Sequence, residues 1–488
     1  MPDLTEHWLA LLGLAVYGCV LLANARVGLR QKQLLSEYYV GGRGFGGVAI
    51  GFSFFATYAS TNSYIGNAGK GYSYGLPWFS LATLIVVFTY LSWRYVAPRM
   101  RALAADGGTL TLPEFFAFRF PSASPVLRSF TALIIVVASL LYLLAIFKGA
   151  GHLFQLFLGI SYAGAVFLTL VLVVAYTALG GFHSVVRTDL LQGLLMLLGS
   201  VAIGYCVISA GGGLAGLDAL RQTPASAPLF TLNAGAPFAV VLGIAVAGSL
   251  KLLVDPRQTS RFFALRDAAS VRQGLIVALI GIGVIQFALA PVGLFAHRLL
   301  PAVTDTDLIV PTLLNDPLVF SWWLRELLVV AILAAAMSSL DSVLLVAASV
   351  LYRDLLAPRI GPVDDQKAVG ITRWCVVGFA LLAALLALRP PAGIVELTTF
   401  SGSLYAVCFL PATLFGLYWR RGDARTVVLT MSVGIAVLLL WLLLGFNKLL
   451  HEVFPALAAS TLTYCLAAAR TGASPLLAAS SLRRSGVK

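Results

Sequence analysis

The sequence predicts an all-α membrane protein of about 13 transmembrane helices, and three observations predict it. Of 488 residues, 59% are hydrophobic and 11% charged, with a mean hydropathy of +0.92, whereas a soluble domain averages roughly 25% charged residues. Apolar runs long enough to cross a bilayer recur along the whole chain. Lys and Arg fall between those runs, concentrated in alternate connections.

Each apolar run carries its own local chemistry. The first, 8–29, follows Asp3 and Glu6 with neither a basic leader nor a small-residue cleavage site, so a retained helix is expected and not a signal peptide. The second, 46–67, is interrupted by Thr57, Ser60, Thr61, Asn62 and Ser63, with Gly66 and Gly69 beyond. Ser, Thr and Asn compete for backbone hydrogen bonds, so this run is expected to be a broken helix whose freed carbonyls suit a cation and whose freed amides suit an anion. Close helix packing through small residues is the competing reading. The third and fourth runs are 74–97 and 126–157, the fourth with Lys148 in its outer half. The fifth and sixth, 160–180 and 187–210, flank TALGGFHSVVRTDL, where Thr188-Asp189 also reads as a helix cap.

The seventh run, 236–254, has Gly243, Gly248 and Ser249 inside it and ends in Asp255-Pro256, a second candidate break. Runs two and seven are five apart, the spacing expected of two inverted five-helix repeats that each begin with a discontinuous helix. After the eighth, 273–298, the ninth run, 320–352, places Ser338, Asp341 and Ser342 at i, i+3 and i+4, on one side of a helix with Ser339 beside them. An acid inside a span is costly and is expected to face a cavity or a partner; a structural salt bridge or a protonated acid is the alternative. The last four runs are 374–389, 394–418, 426–446 and 450–468.

With the N-terminus outside, 26 of the 33 Lys and Arg fall on the inner side, from Arg26, Arg30 and Lys32 to Arg420, Arg483, Arg484 and Lys488. That asymmetry places the C-terminus inside. The expected membrane is a plasma or bacterial inner membrane. The net charge of +13 is scattered singly, so no nucleic-acid surface is expected. Cys19, Cys206, Cys375, Cys408 and Cys465 are isolated, with no disulfide or thiolate-metal spacing. Gly42, Gly44 and Gly47 satisfy the dinucleotide spacing but lead into a membrane helix, and no Walker A loop occurs. The longest polar connections, near 211–235, 299–319 and 355–373, are too short for a soluble catalytic domain, and no nucleophile, base and orienting group stand together. A non-enzymatic function inside the membrane is expected, with no obligate protein partner.

Five stretches in order, SEYYVGGRGFGG, FATYASTNSYIGNAGKGYSYG, TALGGFHSVVRTDLLQG, DPRQTSRFFALRD and AAAMSSLDSVLLVAASVLYRD, resemble the sodium:solute symporter family across about 36–425. The resemblance implies a leucine-transporter-like five-plus-five core and sodium-coupled import of a small organic solute by alternating access. It implies four segments: a peripheral helix and inner loop (1–45), a first repeat (46–234), a second repeat (235–420) and two peripheral helices with a tail (421–488). It implies a sodium site from the carbonyls of Ala56, Ala59 and Ala335 and the hydroxyls of Ser338 and Ser339. A hard monovalent ion suits several neutral oxygens, which also release it.

A second cation site in some members matches Asp189 and Ser342. Asp341 stands where a hydroxyl is sometimes found, which leaves a second sodium, a proton or a structural acid open. Solute contacts are implied at Ser60, Thr61, Asn62, Ser63, Gly248, Ser249, Thr399 and Ser401. Lys148 favours a carboxylate-bearing amino or organic acid; snorkelling to the interface is its competing role. A sugar or other neutral solute, and a non-transporting sensor built on the same core, are the alternative functions. DPRQTSRF also reads as an inner-loop anchor.

Overall fold

The computed structural model describes residues 8–30, 34–122, 124–300, 303–419 and 421–471. Asp3, Glu6, Lys32, Arg420, Arg483, Arg484 and Lys488, used above for topology, lie outside the described residues. The described chain is helical, with one isolated bridge between Phe45 and Leu265. Its principal helices are α1 (Trp8–Arg30), α2 (Gly47–Tyr58), α3 (Asn67–Tyr74), α4 (Phe79–Leu91), α5 (Ser124–Leu158), α6 (Tyr162–Ala210), α7 (Phe238–Leu250), α8 (Pro256–Ala264), α9 (Ala268–Leu289), α10 (Trp322–Val350), α11 (Asp365–Ala387), α12 (Ile394–Tyr418), α13 (Ala424–Leu443) and α14 (Val453–Ala469).

Among the described residues, ten helical stretches are long and apolar enough to cross a membrane, and α2 and α14 are shorter apolar helices. One of the ten, α6, contains 49 residues and turns at Gly181, whose φ of 60° only glycine adopts readily. The protein is therefore an all-helical membrane protein with some ten to thirteen candidate spans.

Local chemistry starts the helices. Ser161 caps α6 by accepting from Gly164 N at 3.1 Å, Asp267 caps α9 through Ser270 N at 2.7 Å, and Asp423 caps α13 through Thr426 N at 2.8 Å. Asp364 does the same for α11 through Lys367 N at 2.8 Å. That cap explains why the tenth span begins at residue 365 and not at 374: its polar first turns are helical although their hydropathy is low. The connections near 211–235 and 299–319 likewise contain short helices, Gly213–Gln222 and Ile309–Leu314.

Helix α10 is the axis of the molecule. Every residue from Leu328 to Val350 is buried, and it packs against α1, α2, α5, α6 and α11. A helix covered on all sides needs no polar face for water. The polar residues at its middle, Ser338, Ser339, Asp341 and Ser342, each 0% exposed, must find partners inside the protein.

The second span is broken. After α2 the backbone turns extended at Ala59 (φ −69°, ψ 121°), then runs through a wide π turn at Asn62–Gly66 into α3, so the span continues past residue 67 to Tyr74. The seventh span is broken too. A tight turn at Lys251–Leu253 ends α7, and Asp255 (φ −58°, ψ 126°) starts α8 by accepting from Arg257 N at 2.9 Å. This corrects two expectations. The span runs on to Ala264 instead of ending at 254, and DPRQTSRF is no inner-loop anchor, because all nine residues of α8 are buried. Lys251, Arg257 and Arg261 are therefore core charges and do not report sidedness as loop residues do.

Candidate functional site

The two breaks and α10 meet at the centre of the protein. Ser338 Oγ donates to Ala56 O at 2.9 Å and lies 3.1 Å from Ala335 O. Ser339 Oγ lies 3.3 Å from both Thr57 O and Ala59 O. All five oxygen donors named from the sequence thus gather between the end of α2 and the middle of α10, with Thr57 O as a sixth. The carbonyls are available because α2 stops: the break after Tyr58 leaves Ala56, Thr57 and Ala59 without the full set of helical donors above them. Two hydroxyls and several carbonyls with no formal charge form a donor set that suits a hard monovalent cation.

A second polar cluster continues from the first through Thr57, whose Oγ1 is 3.0 Å from Ser342 Oγ. Asp189, Asp341 and Ser342 are gathered as the sequence suggested, but a guanidinium lies among them. Arg261 of α8 is 0% exposed; its Nη2 donates to Ser342 Oγ at 2.6 Å and lies 3.4 Å from Asp189 Oδ2. Its Nε donates to Ser53 Oγ at 3.1 Å, and Ser53 in turn donates to Asp189 Oδ2 at 2.5 Å. Asp341 accepts from Ser342 Oγ and Tyr176 Oη, each at 3.2 Å. The reading of Thr188-Asp189 as a helix cap does not hold, since Asp189 lies inside α6 and faces the core.

The residues named for solute binding separate. Asn62, Gly248 and Thr399 line one small cleft, together with Tyr58, Asn67, Trp78 and Lys251. Ser60 and Ser63 organise the break itself: Asn62 N donates to Ser60 Oγ at 3.2 Å, and Ser60 N reaches Ser63 Oγ at 3.5 Å. Thr61 packs against Gly149 of α5, where a Cβ would come within 2.7 Å of it. Ser249 Oγ donates to Ala245 O of its own helix at 2.6 Å, and Ser401 Oγ to Ala138 O at 2.8 Å, so neither lines the cleft.

Lys148 neither snorkels nor reaches the cleft. Its Nζ pairs with Asp307 Oδ2 at 2.8 Å, and both side chains are largely buried. Beside the cleft lies a cavity of about 410 Å³ bounded by Lys70, Glu396, His451 and Glu452. Ile244, Val395 and Thr399 belong to both walls, so the cavity and the cleft lie against one another. Lys70 and Glu396 form an ion pair at 2.5 Å on the rim of the cavity.

Sequence reasoning missed Thr57, Lys251, Arg257 and Arg261 as site residues. One signal was present: Arg257 and Arg261 are spaced i, i+4 and so share a helix face, a pattern with no purpose in an irregular loop.

Two discontinuous helices crossing a central buried helix, with neutral oxygens converging at one break, define a secondary-active transporter core. The family model of the sodium:solute symporter family matches residues 38–434, and the chain belongs to that family: it is a sodium-coupled symporter of a small organic solute, not an enzyme. It is 30% identical to the osmoregulated proline transporter OpuE of Bacillus subtilis, covering 91% of each chain. It is 29% identical to the sodium/pantothenate symporter of Escherichia coli, covering 93% of this chain and 95% of that one. Among solved structures it resembles a Na+-coupled sialic acid symporter in a substrate-bound outward-open state, with a TM-score of 0.76, 20% identity, and 94% and 98% of the two chains covered. The nucleobase-cation-symport-1 transporter Mhp1 shares the fold at a TM-score of 0.55 and 15% identity, with 89% and 95% covered.

Proposed function

We propose that this protein imports a small carboxylate-bearing solute by alternating access, driven by one sodium ion held by the carbonyls of Ala56, Ala59 and Ala335 and the hydroxyls of Ser338 and Ser339. The observation that carries the reading is the reach of both hydroxyls from α10 to the open end of α2. A cation there ties two helices that must separate when the solute is released, and so biases the equilibrium between the open states. One entering charge contributes about 2.3 kcal/mol per 100 mV, and a tenfold sodium gradient adds about 1.4 kcal/mol. For a zwitterionic solute the two together sustain accumulation on the order of several hundredfold; a solute that is a net monoanion cancels the charge of the sodium, which leaves the sodium gradient alone and accumulation of about tenfold. Relatives named for proline and for pantothenate, two carboxylates, support the solute class.

The stoichiometry of one sodium rests on Arg261, whose permanent positive charge sits among Asp189, Ser342 and Ser53 where a second cation would bind. Proteoliposomes with an imposed inward sodium gradient are expected to accumulate labelled carboxylate, with a Hill coefficient for sodium close to one. Uptake that ignores the gradient, or a sodium dependence clearly of second order, contradicts this reading.

The architecture we propose has thirteen spans: α1, then two inverted repeats over 46–234 and 235–420 opening with the broken spans, then α13 and α14. The excess of Lys and Arg in alternate connections supports an external N-terminus and an internal C-terminus. Single cysteines introduced at Leu318 and at Ile360, which are 89% and 51% exposed, are then expected to react with an impermeant maleimide from outside and from inside respectively. Labelling of both from one side rejects the orientation.

A further inference from the structure

The cleft contains a charge that the import reading does not use. Lys251 sits in the break of the seventh span, 5% exposed, and its side chain lines the cleft opposite Asn62 of the other break. Among the described residues its ammonium has no carboxylate and no hydrogen-bond acceptor. Its neighbours are the rings of Tyr58 and Tyr142, with Nζ 5.7 and 5.3 Å from their centroids. Ring faces attract an ammonium, but they do not replace the counter-charge that a buried cation requires.

The nearby acids are already engaged. Asp255 holds the Arg257 guanidinium through both oxygens and also caps α8. Asp307 pairs with Lys148, and Glu396 with Lys70. The cleft therefore has one cation in excess. On its other wall the side-chain oxygens of Asn62 and Asn67 are buried with no donor. A ligand that satisfies both walls presents an anion to Lys251 and N–H or O–H donors to the two asparagines.

Resting on the import reading above, we infer that Lys251 is the residue that binds the solute's carboxylate, and that the solute is a small monocarboxylate with hydrogen-bond donors a few bonds away. Binding then places the anion at the end of α7 and the donors at the break after α2, which draws the two broken spans together around the solute. Neutral analogues leave Lys251 unpaired in a desolvated cleft and are rejected for that reason.

The test uses the purified full-length protein in saturating sodium. Thermal stabilisation is titrated with L-proline, pantothenate, lactate and 4-aminobutyrate, each beside its carboxamide, which lacks the anion (neutral for pantothenate and lactate, cationic for the two amino acids), in wild type, Lys251→Gln, Lys251→Met and Lys251→Arg. The expected result is that at least one acid stabilises wild type while its amide does not. Its affinity falls at least tenfold in the glutamine and methionine variants and stays within a few-fold in the arginine variant. Stabilisation by sodium alone, measured before any solute is added, is expected in all four proteins and certifies folding; the methionine variant stands in if glutamine does not fold. An acid preference that survives in either charge-free variant overturns the role of Lys251 while leaving carboxylate import intact. A wild type that answers to none of the acids, or to amides as well as acids, overturns both.

Discussion

Replacing Ser338 by alanine is expected to raise the sodium concentration for half-maximal uptake by about tenfold or more, with protein abundance unchanged. The hydroxyl stands between Ala56 O and Ala335 O, on two different helices, so its loss removes one cation ligand and the bridge from α10 to α2 together. A hydrogen bond or ligand to a charged group contributes about 1.5–3 kcal/mol, and each 1.4 kcal/mol is about a factor of ten in affinity. Ser339→Ala is expected to act in the same direction, since Ser339 Oγ lies 3.3 Å from Ala59 O. Alanine keeps the helix and adds no volume, so a folding defect is not expected from either change. Sodium titration of uptake checks both variants, and unchanged half-saturation in the two together places the ion elsewhere.

Removing Arg261 is expected to have the largest effect on stability. Its guanidinium is the only positive charge within salt-bridge distance of Asp189 among the described residues, and both groups are 0% exposed. Breaking a buried pair by deleting one partner costs about 3–5 kcal/mol, because the remaining charge is left uncompensated. Arg261→Gln is thus expected to lower the thermal midpoint of the purified protein sharply. The double variant Arg261→Gln with Asp189→Asn is expected to recover much of the loss, since two neutral amides replace the pair. If the double variant is no more stable than the single one, the ion pair is not what holds α8 against α6. Sodium dependence in the double variant also tests the stoichiometry, because a protein freed of both charges has lost the internal cation along with the acid that would have bound a second sodium.

Much of this protein was legible locally. Its membrane class follows from composition, and the existence of most spans from apolar runs, because lipid solvates each span wherever it packs. Both breaks were visible as small polar residues, glycine and an Asp-Pro step within apolar runs. The five oxygens that the family resemblance pointed to also gather at one place, since Ala56 and Ala59 share one helix end while Ala335, Ser338 and Ser339 share one helix face. Boundaries were less legible: α11 begins nine residues early on a cap, and α8 looked like a polar loop because its three polar and two basic residues carry no lipid-facing signal.

By itself, then, the sequence determined the class of protein, the order of its apolar segments, and the short motifs in which neighbours along the chain act as a unit. Only the tertiary structure decided which charge meets which. Lys148 is paired with Asp307, 159 residues away, and lies outside the cleft lining; Arg261 is paired with Asp189, 72 residues back, inside the core; Lys251 is left without an acid and lines the cleft. The physical reason is that a buried charge is stabilised by whatever partner packing brings within a few ångströms, and that distance is set by how helices cross and not by any spacing along the chain.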